Sequence, residues 1–183
     1  MLKLLSRFSN RLKASQRPER VDAMVIYRKV MKQSRNPVFY RPGLIEDTTD
    51  GRMEWLTAHL SIILHALNRH GSDGATLSQA IYDTMVDDFD VALREEGLSD
   101  SGVKHRIKPL AKMFLSRARV YSDALNEEEK SLDASIQKYV LQEREANNES
   151  EMLAKYLRAF SANVRELKLD QIAKAGFNIP DFS

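Results

Sequence analysis

The chain of 183 residues contains no cysteine, and glycine and proline are scarce at seven and five residues. Without cysteine there can be no disulfide, thiolate zinc site, cysteine-held iron–sulfur cluster or cysteine nucleophile. A small secreted domain stapled by disulfides is excluded too, which favours an intracellular setting. The shortage of helix breakers leaves long uninterrupted stretches for helices. Net charge is only +2, too little to argue for a nucleic-acid partner. No apolar run reaches the ~20 residues needed to cross a bilayer; the stretch Leu60–Leu64 is interrupted by Ser61 and followed by His65 and Asn68. The N-terminus lacks the apolar block and cleavage site of a secretory signal.

Helical periodicity fills most of what remains. Hydrophobic residues make up 43% and charged residues 30%, a composition that suits one globular domain. Helices are expected over 19–34, 48–70, 75–96, 100–125, about 126–145 and about 150–174. The stripes are read from sets such as Leu56, Leu60, Ile63 and Leu67, or Tyr82, Val86, Phe89 and Leu93. Gly71 and Gly97 mark stops. Asn126 followed by Glu127, Glu128 and Glu129 marks a start, a side-chain cap and then anions in the first turn. Pro109 should kink its helix or mark its true beginning. The stretch 36–47 carries two prolines and a glycine and reads as a loop, with Phe39, Tyr40, Leu44 and Ile45 packed onto the core. There is no period-2 pattern, no repeat and no low-complexity tract. The expectation is an all-α, single-domain bundle of six to seven helices: a basic segment over 1–17, a helical body over 18–176 and a tail over 177–183.

The first 17 residues hold cations and no acid. Leu4, Leu5, Phe8 and Leu12 fall at helical spacing, with Lys3, Arg7 and Arg11 around them. Such a segment can lie in a membrane interface, apolar face inward and cations on anionic lipid. A mitochondrial presequence, or a plain basic terminus, has the same pattern.

Reactive constellations are hard to find. The four histidines, His59, His65, His70 and His105, show no His-Glu-x-x-His spacing. Asp83, Asp87 and Asp90 share an outer helix face, but the Glu-x-x-His pairs of a di-metal bundle are missing, so no metal is expected. Asp88 falls between apolar stripes and, if buried, needs a partner, for which Arg52 and Arg117 are candidates. There is no phosphate loop and no nucleophile elbow. A helix-turn-helix ending in the basic stretch 100–119 is opposed by the acidic helix before it, so no nucleic acid is expected.

Three blocks carry a resemblance. The first is Pro37-Val38-Phe39-Tyr40, Asp47-Thr48-Thr49-Asp50-Gly51-Arg52, then Trp55 and His59-Leu60. The second is Asp87-Asp88-Phe89-Asp90, Leu93-Arg94-Glu95-Glu96-Gly97, Ser99-Asp100, Val103 and Lys108. The third is Phe114, Arg117 and Tyr121, where Leu115 and Ser116 replace a tyrosine and a glycine. Together they resemble the ubiquinol–cytochrome c chaperone family over about residues 24–125. The resemblance implies a helical, non-catalytic and cofactor-free chaperone. It would bind newly made cytochrome b at the membrane surface, with a second assembly factor and the ribosome as further partners. The place implied is the cytoplasmic face of a bacterial inner membrane, or the matrix side if the N-terminus is a presequence.

Two sets of working residues follow. Phe39, Tyr40, Trp55 and Phe114 would build an apolar client groove, or else lie in the core. Asp47, Asp50, Arg52, Asp88, Asp90, Arg94 and Glu95, with Arg117, would form a polar network fixing the loop against the helix pair. The rival readings are a small quinone- or lipid-handling enzyme using His59 with the Asp87–Asp90 cluster, and a plain protein-interaction module.

Overall fold

The computed structural model describes residues 18–126, 129–142 and 148–182. The proposed membrane residues Lys3, Leu4, Leu5, Arg7, Phe8, Arg11 and Leu12 lie outside these, as do Glu127 and Glu128 of the expected helix start. Seven α-helices appear among the described residues: α1 Pro18–Ser34, α2 Thr49–Leu67, α3 Gly71–Glu95, α4 Asp100–Asn126, α5 Glu129–Tyr139, α6 Glu149–Arg165 and α7 Leu169–Ala173. Short 3-10 turns cover Pro37–Tyr40 and Asn68–His70. The described residues contain no strand. The chain is an all-α helical bundle, as its periodicity dictates.

Helix α2 is the axis. It packs against α1, α3, α4 and α6, and thirteen of its nineteen residues are buried, which leaves it no solvated face. Its start explains the Asp-Thr-Thr-Asp-Gly-Arg block. Thr48 caps the helix, its side-chain oxygen accepting from the Gly51 N–H at 3.1 Å. Asp50 puts a negative charge in the first turn, where the helix dipole favours it. Gly51 is buried against the Glu46 carbonyl, so closely that a Cβ has no room. The second block ends α3 in a Schellman turn: Gly97 has φ +89°, its N–H donates to the Arg94 carbonyl, and the Leu98 N–H donates to the Leu93 carbonyl.

Several boundaries differ from the periodic reading. Gly71 adopts φ +58° at the junction, yet α3 begins at that residue, four earlier than expected. Pro109 lies inside α4, which runs through it without ending. Pro109 and the residues His105 and Arg106 one turn earlier are exposed, so the carbonyl that proline leaves without a donor can meet water. Helix α5 ends at Tyr139. The last periodic stretch divides into α6 and α7, because Leu167 and Lys168 leave the helical path. The final residues pack onto the bundle: Phe177 is buried, and Phe182 sits 5.0 Å from the Phe39 ring and 5.7 Å from Tyr156. Lys29 pins this stretch, donating to the carbonyls of Ala175 at 2.8 Å and Phe177 at 2.5 Å.

Helix propensity alone favours alanine over glycine by about 1 kcal/mol inside a helix. At position 51 the clash with the Glu46 carbonyl reverses the sign. Gly51→Ala is expected to destabilise the chain by about 1–3 kcal/mol, the usual cost of overpacking, read as a lower midpoint in urea unfolding.

Candidate functional site

Beyond the exposed first turn, with Thr49, Asp50 and Arg52, the polar side chains of α2 are buried or half-buried, and two buried junctions follow from that. At the first, His59 is fully buried. Its Nδ1 lies 2.8 Å from the Trp55 carbonyl, which can only accept, so Nδ1 carries the proton. Nε2 is therefore an acceptor, and the Tyr156 hydroxyl donates to it across 2.9 Å. Gln33 Nε2 donates to the same hydroxyl at 3.2 Å. The chain Gln33–Tyr156–His59–Trp55 thus ties α1 and α6 to α2. Phe39, Trp55, Tyr156 and Phe182 pack around it with ring centroids 5.0–6.0 Å apart. Burial pushes His59 down to about 4, since a charged imidazole there would lose its hydration.

The second junction is centred on Glu54. Tyr121 donates to its Oε1 at 2.7 Å and Arg117 Nε to its Oε2 at 3.3 Å. The Arg117 guanidinium also lies 3.6 Å over the Tyr139 ring. Helices α2, α4 and α5 meet at this carboxylate. Burial raises the Glu54 pKa, against the lowering effect of the Tyr121 and Arg117 contacts. Arg117 and Tyr121 belong to the third sequence block and Glu54 lies inside the first, so this contact joins the two.

The remaining members of the predicted network sit in separate local pairs rather than in one connected set. Arg52 pairs with Asp47 at 2.5 Å and stacks on Tyr40, with Asp50 exposed nearby. Arg94 bridges Asp90 at 2.5 Å and Asp100. Glu95 is exposed. The expected partners of Asp88 are corrected. Arg52 and Arg117 are engaged elsewhere, and Asp88 accepts from the Tyr27 hydroxyl at 2.9 Å. The half-exposed pairs are screened by water and contribute little.

The aromatic groove is also revised. Phe39 and Trp55 are wholly buried, and Tyr40 is half-buried with its hydroxyl donating to the Ser34 carbonyl at 2.7 Å. Phe39 and Trp55 belong to the core, where large rings gain most from leaving water, and Tyr40 packs against it. Phe114 is buried as well, but it floors an open groove of about 540 Å³ between α2, α3 and α4. Leu64, Tyr82, Leu115 and Ala118 line this groove, with Leu115 at 55% exposure. On its wall the His65 Nδ1 and Ser122 Oγ pair at 2.9 Å. His59 and the aspartates do not assemble as a reactive set: both His59 nitrogens are taken, and Asp87 pairs with Arg20 at 2.8 Å. Among the described residues no group of three or more acidic or histidine side chains could hold a metal, and no helix is long and apolar enough to cross a membrane.

Helices locked by internal polar junctions, with an open apolar groove on the outside, make a helical scaffold with a surface on which a partner can be held. The profile of the family described as Ubiquinol-cytochrome C chaperone matches residues 44–180, and the chain belongs to that family. It is also similar to the crystal structure of the Cbp3 homolog from Brucella abortus. The two share 27% identity and a TM-score of 0.77 over 98% of this chain and 97% of that one. A search among curated proteins finds no match.

Periodicity did not single out Glu54 or Gln33, and it placed Tyr156 only on the apolar side of the last helix. A signal existed for the first: beyond the first turn of α2, Glu54 is the one carboxylate in a largely apolar helix. Tyr121→Phe removes its strongest donor and is expected to cost about 1–3 kcal/mol, measurable by urea unfolding. His59 gives a pH test. Its folded pKa of about 4 lies below the ordinary 6.5, so its stabilising contribution is complete above pH 6.5 and is lost as pH falls toward 4. Glu54 is shifted upward and works in the opposite sense, so the two must be separated by mutation. Between pH 7 and pH 4 the stability gap between wild type and His59→Phe should narrow by about 3 kcal/mol.

Proposed function

We propose that this chaperone holds newly synthesised cytochrome b during assembly of ubiquinol–cytochrome c reductase, by binding and release and without bond chemistry. The observation that carries the reading is the family match, which spans every element that builds the groove. A polypeptide of transmembrane helices needs apolar contact before it reaches lipid or its subunit partners, since its exposed side chains favour removal from water. The groove supplies such a contact, with Phe114 as its floor and Leu115 on its rim. Residues Lys3 to Leu12 would keep the protein at the membrane surface, peripherally, by the basic amphipathic pattern of the sequence. A second assembly factor would share the client.

The test is affinity purification from native membranes, with cytochrome b as the readout. Wild type is expected to retain it. Leu115→Glu, a change at an exposed position, is expected to reduce recovery at least tenfold with an unchanged melting temperature. Equal recovery by both would remove the groove from the proposal. Wild type free of cytochrome b would remove the client.

A further inference from the structure

A cleft of about 670 Å³ opens between the C-terminal end of α1, the turn that follows it and the last stretch of the chain. Every charged side chain that lines it is a cation: Lys29, Lys32 and Arg35. Arg28 stands one turn before Lys32, so Arg28, Lys32 and Arg35 follow at i, i+4 and i+7, all exposed. The acids of α1, Glu19 and Asp22, belong to its first half. Asp22, the nearer, precedes Lys29 by two turns, about 10 Å along the helix. On α7, Asp170 and Lys174 offset each other one turn apart. Asp181 is exposed further along the last stretch and does not line the cleft.

These cations are not neutralised within the protein. Arg20, Arg52, Arg94 and Arg117 each meet a carboxylate, whereas Lys32 and Arg35 form no ion pair among the described residues. Lys29 is half-buried, and its partners are the neutral carbonyls of Ala175 and Phe177 and the face of the Phe177 ring. A cation held only by dipoles leaves its charge to be balanced from outside. Amide donors lie among the cations. Asn36 accepts the Val38 N–H through its Oδ1 at 3.1 Å, which leaves its NH2 group unengaged. Asn178 is exposed on the facing wall. Guanidinium, ammonium and amide N–H groups together suit the oxygens of a phosphate. Pro37 and Ile179 give the cleft an apolar edge beside these donors. A free phosphate ion gains nothing from such an edge, whereas the glycerol and first methylenes of a phospholipid do. The ring of the cleft, Phe177, is buried, so it offers no face on which a nucleic-acid base could stack.

We propose that this cleft binds the phosphate of an anionic phospholipid headgroup, with Lys32 and Arg35 on its oxygens, Asn36 and Asn178 beside them, and Lys29 adding charge from below. The protein then meets the bilayer by the end where α1 and the last stretch of the chain come together. This gives the membrane placement proposed above a contact of its own, and it depends neither on cytochrome b being the client nor on residues 1–17.

The test is nuclear magnetic resonance on the full chain, reading the side-chain amides of Gln33, Asn36 and Asn178. Dihexanoyl-phosphatidylglycerol, kept below its micellar concentration, should shift these resonances to saturation, and dihexanoyl-phosphatidylcholine should not. Lys32→Gln with Arg35→Gln should weaken the phosphatidylglycerol binding at least tenfold. Both positions are exposed, and circular dichroism with the melting temperature checks that the fold is kept. Arg106→Gln with Lys108→Gln, two equally exposed cations on α4, should leave the binding unchanged. An equal loss in both variants overturns the site, because the attraction would then be general. Inorganic phosphate should bind at least tenfold more weakly than the lipid; equal binding makes the cleft a free-anion site and overturns the lipid. Tighter binding of a short oligouridine overturns it as well. The absence of cysteine allows a single environment-sensitive fluorophore at Asn178→Cys. Its emission should move to shorter wavelength on vesicles of phosphatidylglycerol and not on those of phosphatidylcholine. Vesicle binding without that shift means attachment elsewhere and overturns the proposal, while recovery of cytochrome b, read separately, is untouched by that outcome.

Discussion

Helix α2 is buried on all sides, and much of the structure answers to that condition. A helix in such a position must draw most of its hydrogen-bond partners from inside the protein, because an unpaired buried group costs more than its hydrogen bond would give; the Trp55 indole N–H is the exception, buried without an acceptor. Thr57 and Ser61 solve this locally, each hydroxyl donating to the carbonyl four residues back. His59 and Glu54 reach outward and recruit neighbouring helices. Thus α1 and α6 are tied through Gln33 and Tyr156, and α4 and α5 through Tyr121, Arg117 and Tyr139. The two junctions are directional, whereas the apolar contacts around them are not, so they choose one arrangement of the bundle among those that would bury similar area.

This division of labour suits a chaperone. Residues that are chemically able, His59 and Glu54 above all, are spent on holding the frame. Apolar side chains are left open to solvent at the groove floored by Phe114 and along a ridge on α1 formed by Val21, Met24 and Val25. Core packing and the lining of the groove remain separate on the same helices. Phe114 shows how close they come, buried on one side and forming a groove floor on the other. The family motifs fit this view. The first block caps α2 and supplies Glu54, the second terminates α3 and turns the chain into α4, and the third meets the first at the Glu54 carboxylate.

The C-terminal stretch has a related part. Lys29 holds the backbone at Ala175 and Phe177, and Phe177 and Phe182 close the aromatic cluster from below. The rings of Phe39 and Trp55 are sealed by residues more than a hundred positions away. A loop of apolar composition was the visible sign that 36–47 packs inward. Nothing local to Phe39 or Trp55 showed what would cover them.

Periodicity, caps and breakers were enough to establish the all-α class and most helix positions, because these depend on contacts within a few residues. The Gly97 turn and the Asp90–Arg94 pair are of this kind; the Thr48 cap is equally local, although the periodic reading began the helix at that residue. The resemblance in the three blocks likewise placed the chain with the ubiquinol–cytochrome c chaperones. Partnerships across helices were beyond it. Asp88 pairs with Tyr27 rather than an arginine, Glu54 rather than Asp88 receives Arg117, and three of four candidate groove aromatics lie in the core. Which side of an apolar stripe faces a neighbour, and which opens to solvent, is set by how helices cross. That crossing reflects packing among segments far apart in the chain, so only the tertiary structure could decide it.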